Sequence, residues 1–138
     1  MKKISLLSIL LLFGLFILPV SLSYAGDGDY CITSVLDAHY QAISGRNFKA
    51  AYALRSNNWR ANHSYGWFYD NWESNYTIEL TDRHVISNDG YEAVVKLRIY
   101  SEDYNSKGSL HRAYYRGKAY MVYEKGKWKI DDIQVKEE

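Results

Sequence analysis

The sequence predicts an α+β domain in which N-terminal helices pack on one face of an antiparallel sheet. Three observations predict it. Apolar residues recur at helical spacing from Ile32 to Trp72. From Ile78 onward the period falls to two: Ala93, Val95, Leu97 and Ile99 alternate with Glu92, Val94, Lys96 and Arg98. Two turn sequences, Asn88-Asp89-Gly90 and Glu124-Lys125-Gly126-Lys127, break the extended runs and make the strands they join antiparallel.

The chain opens on a targeting segment. Lys2 and Lys3 precede a nearly uninterrupted apolar run, Ile4 to Val20, and Ser23-Tyr24-Ala25 has the small-x-small pattern of a signal-peptidase site. The expectation is a signal peptide over residues 1–25, cleavage after Ala25, and a secreted or periplasmic protein consisting of one domain, residues 26–138. The alternative is an uncleaved N-terminal helix that anchors the protein in the membrane, because the apolar run approaches the length of a span. Loss of Lys2 and Lys3 moves the formal net charge from +1 to −1. That balance gives no electrostatic case for nucleic acid. With one cysteine there is no internal disulfide framework. Cys31 is expected as a small buried residue at the start of the first helix.

Gly26 to Tyr30 reads as a polar leader. A helix is expected over Ile32–Ser44, with Ile32, Val35, Leu36, His39 and Ile43 on one face and Gly45 as its stop. Asn47 is placed to cap a second helix carrying Phe48, Ala51, Tyr52 and Leu54. Ser56 to Ala61 reads as a loop with Trp59, and Ser64 as the cap of a short helix holding Trp67, Phe68 and Trp72. Strands follow over Ile78–Ile86 and from Glu92 to Ile99, then a polar loop over Glu102–Ser109, then the terminal hairpin from Leu110 to Val135. In that hairpin His111, Ala113, Tyr115, Ala119 and Met121 share the parity expected to face the helices. Arg112, Tyr114, Arg116, Lys118 and Tyr120 share the outward parity. Gly117 falls mid-strand, where a bend is easiest. Asp131-Asp132 interrupts the alternation between Ile130 and Ile133, which predicts a bulge.

The segments Val35-Leu36-Asp37-Ala38-His39-Tyr40-Gln41-Ala42-Ile43 and Arg46-Asn47-Phe48-Lys49-Ala50-Ala51-Tyr52-Ala53-Leu54, with the terminal Gly126-Lys127-Trp128-Lys129-Ile130, resemble the nuclear transport factor 2-like superfamily in order and spacing. The resemblance runs from about Ile32 to Val135. It implies a cone: helices packed in the concave face of a curved antiparallel sheet, a pocket at the open end, and a homodimer formed through the outer sheet face. The ketosteroid-isomerase-like branch places a tyrosine on the first helix, and Tyr40 matches it. That branch also needs a carboxylate base after the second helix, where this chain has Ser56-Asn57-Asn58-Trp59-Arg60. It needs an acid on a late strand, where this chain has Tyr120 and Met121. One of three positions matches, which favours the fold over that mechanism.

The residues lead to the same balance. Tyr40 reads first as a core tyrosine bonded to a backbone carbonyl and second as a hydrogen-bond donor into a pocket. The histidines at 39, 63, 84 and 111 lack metal-ligand spacing, so neither metal nor cofactor is expected. His39 and His111 are candidates to line the cone, and one carboxylate of the Asp131-Asp132 bulge is a candidate base. Trp59, Trp67, Phe68 and Trp72 form an aromatic cluster able to plug the cone or wall a ligand site. The resulting expectation is a non-catalytic binding or interaction module. It would hold an apolar small molecule or peptide against Tyr40, Trp59, Trp67, Trp72 and Tyr115. The alternative is a small isomerase, cyclase or dehydratase that uses Tyr40 with His39, His111 or Asp132. No nucleic-acid partner is expected.

Overall fold

The computed structural model describes residues 25–138. Four helices, α1 (Ala25–Ser44), α2 (Phe48–Ala53), α3 (Asn57–Asn62) and α4 (Tyr65–Trp72), precede four strands, β1 (Asn75–Asn88), β2 (Glu92–Tyr104), β3 (Leu110–Glu124) and β4 (Lys127–Glu137). The strands form one curved antiparallel meander in the order β1-β2-β3-β4. The α+β expectation holds, with the helices gathered on the concave side. The signal sequence and its cleavage site fall almost entirely outside the described residues. Among those described, no helix is long and apolar enough to cross a membrane.

Helix α1 is the axis of the core. Ile32, Leu36, Tyr40 and Ile43 recur at three- and four-residue spacing, and all are buried. They meet Ala93, Val95, Leu97 and Ile99 of β2, Ala119 and Met121 of β3 and Ile130 of β4 in one cluster. Burial of Ile32, Leu36 and Ile43 alone is worth roughly 5–8 kcal/mol at the usual return per aliphatic side chain. Ala25–Tyr30 are already helical, so the Gly26–Tyr30 segment expected as a leader belongs to α1. This changes the place of Cys31, which lies inside the helix one position before the inward-facing Ile32 and is exposed, not buried.

The second correction concerns the segment after α2. Ser56 to Ala61 is no loop. Ser56 caps α3, its Oγ accepting from the Trp59 amide at 3.1 Å. The same hydroxyl donates to Asp131 Oδ1 at 2.6 Å. Immediately before it, Arg55 forms a parallel bridge to Ile130. The Ser56 amide donates to the Ile130 carbonyl, and the Ile130 amide donates to the Leu54 carbonyl, each at 2.9 Å. The α2–α3 junction is therefore stitched to β4 as a one-residue fifth strand. Asn47 and Ser64 cap α2 and α4 as their positions predict.

Strand β2 continues to Tyr104, and Asn105 to Ser109 form the turn expected to start at Glu102. Across β3 and β4 the register passes from Tyr120↔Asp132 to Met121↔Ile130, leaving Asp131 as the extra residue of a bulge. In the terminal hairpin Ala113, Ala119 and Met121 face inward and are buried, with Tyr115 half-buried beside them. Lys125 and Gly126 both take positive φ, 50° and 79°, the conformation of a tight turn whose twist matches the strands. Gly117 is required for a stronger reason than bending. A Cβ there would collide with the Gln134 carbonyl oxygen and lie 2.7 Å from Val135 Cα. The outer face carries Lys96, Arg98, Arg112, Arg116 and Lys118, with Tyr114 among them. Lys96 stands opposite Lys118 and Arg98 opposite Arg116. Glu138 relieves the second juxtaposition by pairing with both arginines.

Candidate functional site

A cavity of about 480 Å³ opens between the helices and the concave face of the sheet. Every strand and three helices contribute to it: Tyr40 from α1, Trp59 from α3, Trp67, Phe68, Asn71 and Trp72 from α4, and Ile78, Ile99, Ser101, Asp103, Tyr115, Asp132, Ile133 and Val135 from the sheet. All five residues singled out for ligand contact from the sequence, Tyr40, Trp59, Trp67, Trp72 and Tyr115, sit around this one space. Its walls are mostly rings. Trp59 meets Trp67 and Phe68 edge-on at 6.0 and 5.9 Å, and Phe68 is tilted against Trp72 at 6.3 Å. Phe68 is the buried anchor of this layer, while Trp67 remains 49% exposed and stands at the mouth.

Of the lining residues that the sequence reading does not assign to a site, two stand out. His63, at the end of α3, stacks on Trp59 with ring centres 4.2 Å apart. Its Nδ1–H donates to the Trp59 carbonyl at 2.9 Å, which leaves Nε2 as the acceptor. Arg55 is the more consequential. The bridge to β4 fixes its backbone, and its side chain is driven inward until only 6% remains accessible. The guanidinium carbon lies 3.7 Å from the centre of the Trp59 ring. It makes no ion pair among the described residues, and its Nε is buried without an acceptor. Burial lowers its pKa to about 10, opposed by the nearby Tyr40, Asp132 and Asp131, so it stays charged at neutral pH.

Tyr40 completes the inner end. Its ring is buried, and among the described residues no backbone carbonyl takes its hydroxyl, contrary to the first of the two expectations for this residue. Burial pushes its pKa above the ordinary phenol value, partly countered by Arg55. The hydroxyl remains protonated and available as a donor. The carboxylates on the cavity wall are already engaged. Asp103 accepts from Asn75 Nδ2 at 2.9 Å and from Ser101 Oγ at 2.7 Å. Asp132 accepts from the Ile133 amide and from Gln134 Nε2, both at 2.9 Å.

The catalytic alternative fares unevenly. Tyr40 and Asp132 reach the same cavity. His39 does not line it. It is fully buried beneath Phe68 and Tyr40, its Nδ1–H donating to the Ala51 carbonyl at 3.1 Å. Burial and the field of Arg55 lower its pKa to about 3, so it is neutral at any ordinary pH. His111 lies outside as well, exposed and 3.1 Å from Glu137. It has the inward parity but sits at the start of β3, one residue from the end of the strand.

No protein-family model and no curated protein sequence matches the chain. Solved structures do. An uncharacterised protein with a cystatin-like fold from Caulobacter vibrioides aligns with a TM-score of 0.68 at 12% identity, over 81% of this chain and 90% of that one. A protein proposed to be a dehydratase of the nuclear transport factor 2-like family, from Streptomyces avermitilis, aligns with a TM-score of 0.60 at 16% identity, over 80% and 96%. A proposed ketosteroid isomerase from Shewanella frigidimarina aligns with a TM-score of 0.58 at 14% identity, over 79% and 97%. At these identities the likeness is one of backbone shape. The sheet wrapped around α1, the helical layer and the cavity between them, with those alignments, give this chain the nuclear transport factor 2-like fold.

Proposed function

We propose that the protein is an exported, non-catalytic binding module whose cavity takes an apolar or amphipathic small molecule or peptide segment. The observation that carries this reading is the cavity itself. Its size falls within the range of small-molecule sites, and Trp59, Trp67, Phe68, Trp72 and Tyr115 give it a broad apolar wall beside a few polar groups. The experiment is a thermal-shift screen of hydrophobic and amphipathic compounds. A ligand at a hundred times its Kd adds about 2.7 kcal/mol to stability, which is several degrees for a domain of this size. Trp67→Ala removes an exposed wall without touching the core and should abolish the shift while leaving the unliganded Tm nearly unchanged. A flat response across a broad panel overturns the reading.

One observation favours a catalytic second reading: Tyr40 and Asp132 face the same space, so a donor and a carboxylate base are both within it. The proposed dehydratase and isomerase among the similar folds point the same way. The Asp132 carboxylate already accepts from two donors, the Ile133 amide and Gln134 Nε2, so a substrate would have to compete with them for its oxygens. Isomerase or dehydratase turnover that is lost in both Tyr40→Phe and Asp132→Asn would establish this second reading in place of the first. Export is tested separately by the N-terminus of the protein recovered from its natural source, expected at Gly26.

A further inference from the structure

Among the described residues, Arg55 is the charged group in the cavity that the fold leaves without a hydrogen-bond partner. A guanidinium presents five N–H donors in a planar fork. Here none of them has a protein acceptor among the described residues, and Nε is sealed from solvent. The nearest carboxylates are not its partners. Asp131 is tied to Ser56, Asp132 to Ile133 and Gln134, and Asp103 to Asn75 and Ser101. Asp131 and Asp132 act on Arg55 only through space, a buried guanidinium without a hydrogen-bonded acceptor opposes folding, and the stacking on Trp59 answers only its face, not its edge. The edge and the unbonded Tyr40 hydroxyl serve the same cavity.

From this arrangement we infer that the cavity is an acid-binding site: Arg55 and Tyr40 receive a carboxylate at its inner end, while Trp59, Trp67 and Trp72 enclose the apolar or aromatic body of the same molecule. The inference rests on the ligand-cavity reading and narrows it to organic monocarboxylic acids. Planar carboxylates match the guanidinium fork in two parallel hydrogen bonds, which fixes orientation as well as charge. The aromatic wall supplies affinity without selecting one ring system, so an arylcarboxylate is the minimal probe. The carboxylates of Asp103 and Asp132 on the wall disfavour a second anionic group, which is why a single acid is specified.

The test compares three probes of one skeleton, naphthoate, naphthamide and naphthylmethylamine, by quenching of tryptophan fluorescence and by calorimetry on the unmodified protein. Naphthoate is expected to bind at least about tenfold tighter than either of the others, as an Arg-carboxylate contact in a desolvated site gives. Arg55→Met should weaken naphthoate far more than naphthamide, bringing the two to within about twofold of each other. Tyr40→Phe should weaken naphthoate by a few fold, and by more than it weakens naphthamide. Equal binding of acid and amide by the unmodified protein overturns the acid inference and leaves the cavity reading standing. So does a preference for the amine, which would assign the site to Asp103 and Asp132, or a naphthoate preference that survives Arg55→Met. Binding of none of the three overturns both readings. If Arg55→Met does not fold, the probe series on the unmodified protein and on Tyr40→Phe decides.

Discussion

His39 and Arg55 are buried polar side chains within reach of each other's field, and they respond to burial differently. His39 escapes the cost by staying neutral, with one nitrogen satisfied by Ala51 and the other without a partner. Its pKa falls from 6.5 to about 3 on folding. Above 6.5 both states are neutral and nothing is lost. As pH falls below 6.5 the unfolded chain takes up a proton that the folded chain refuses, so stability drops by about 1.4 kcal/mol per pH unit until the folded value is reached. Chemical denaturation at stepped pH values below neutrality should show that slope, and His39→Asn, which keeps a donor for the Ala51 carbonyl, should flatten it. Arg55 has no neutral form to retreat to. The position of His39 was legible in the sequence, since it falls on the apolar stripe of a helix. The role of Arg55 was not, because an arginine after a helix is ordinarily a solvated one and only the bridge to Ile130 turns it inward.

Among the elements, the junction between α2 and α3 and the strand β3 decide the shape of the site. Ser56 holds the first by two bonds of one hydroxyl, to the Trp59 amide and to Asp131. Ser56→Ala should cost about 1–2 kcal/mol for the lost cap and should loosen Trp59, seen as a lower Tm and a red-shifted tryptophan emission. The bulge at Asp131 was predictable from the broken alternation of Ile130 and Ile133. Its pairing with Ser56 was not, since the two lie far apart in sequence and meet only when β4 closes against the helices. Gly117 controls the second element. Gly117→Ala forces a methyl group into the backbone of Gln134 and Val135, and should destabilise the protein by at least about 2 kcal/mol in denaturant titration. The strand faces follow the alternation for Ala113, Tyr115, Ala119 and Met121. At His111, next to the end of the strand, the same alternation does not bury the residue.

At the scale of the molecule, the helices form one lid and the sheet one trough, and the cavity is what remains between them. The outer face of the trough is cationic, with Lys96 beside Lys118 and the two arginines neutralised by Glu138. We propose that a homodimer, if it forms on this face as the resemblance implies, is opposed by like charge. Its association should then strengthen as salt rises, and sedimentation at low and high ionic strength checks this. An association that weakens with salt would place the contact elsewhere. The fold class, the order of elements apart from α3, the caps at Asn47 and Ser64, the core stripe of α1 and the aromatic residues around the cavity were all legible in the sequence. All of these are local, set by hydrophobic period and by side chains that bond to their own neighbours in the chain. It took the folded chain to show that Gly26–Tyr30 belong to α1, that Cys31 is exposed, that His111 stands outside, and that Arg55 points unpaired into the cavity. The place of Arg55 depends on a strand far away in the chain, and no local period records that.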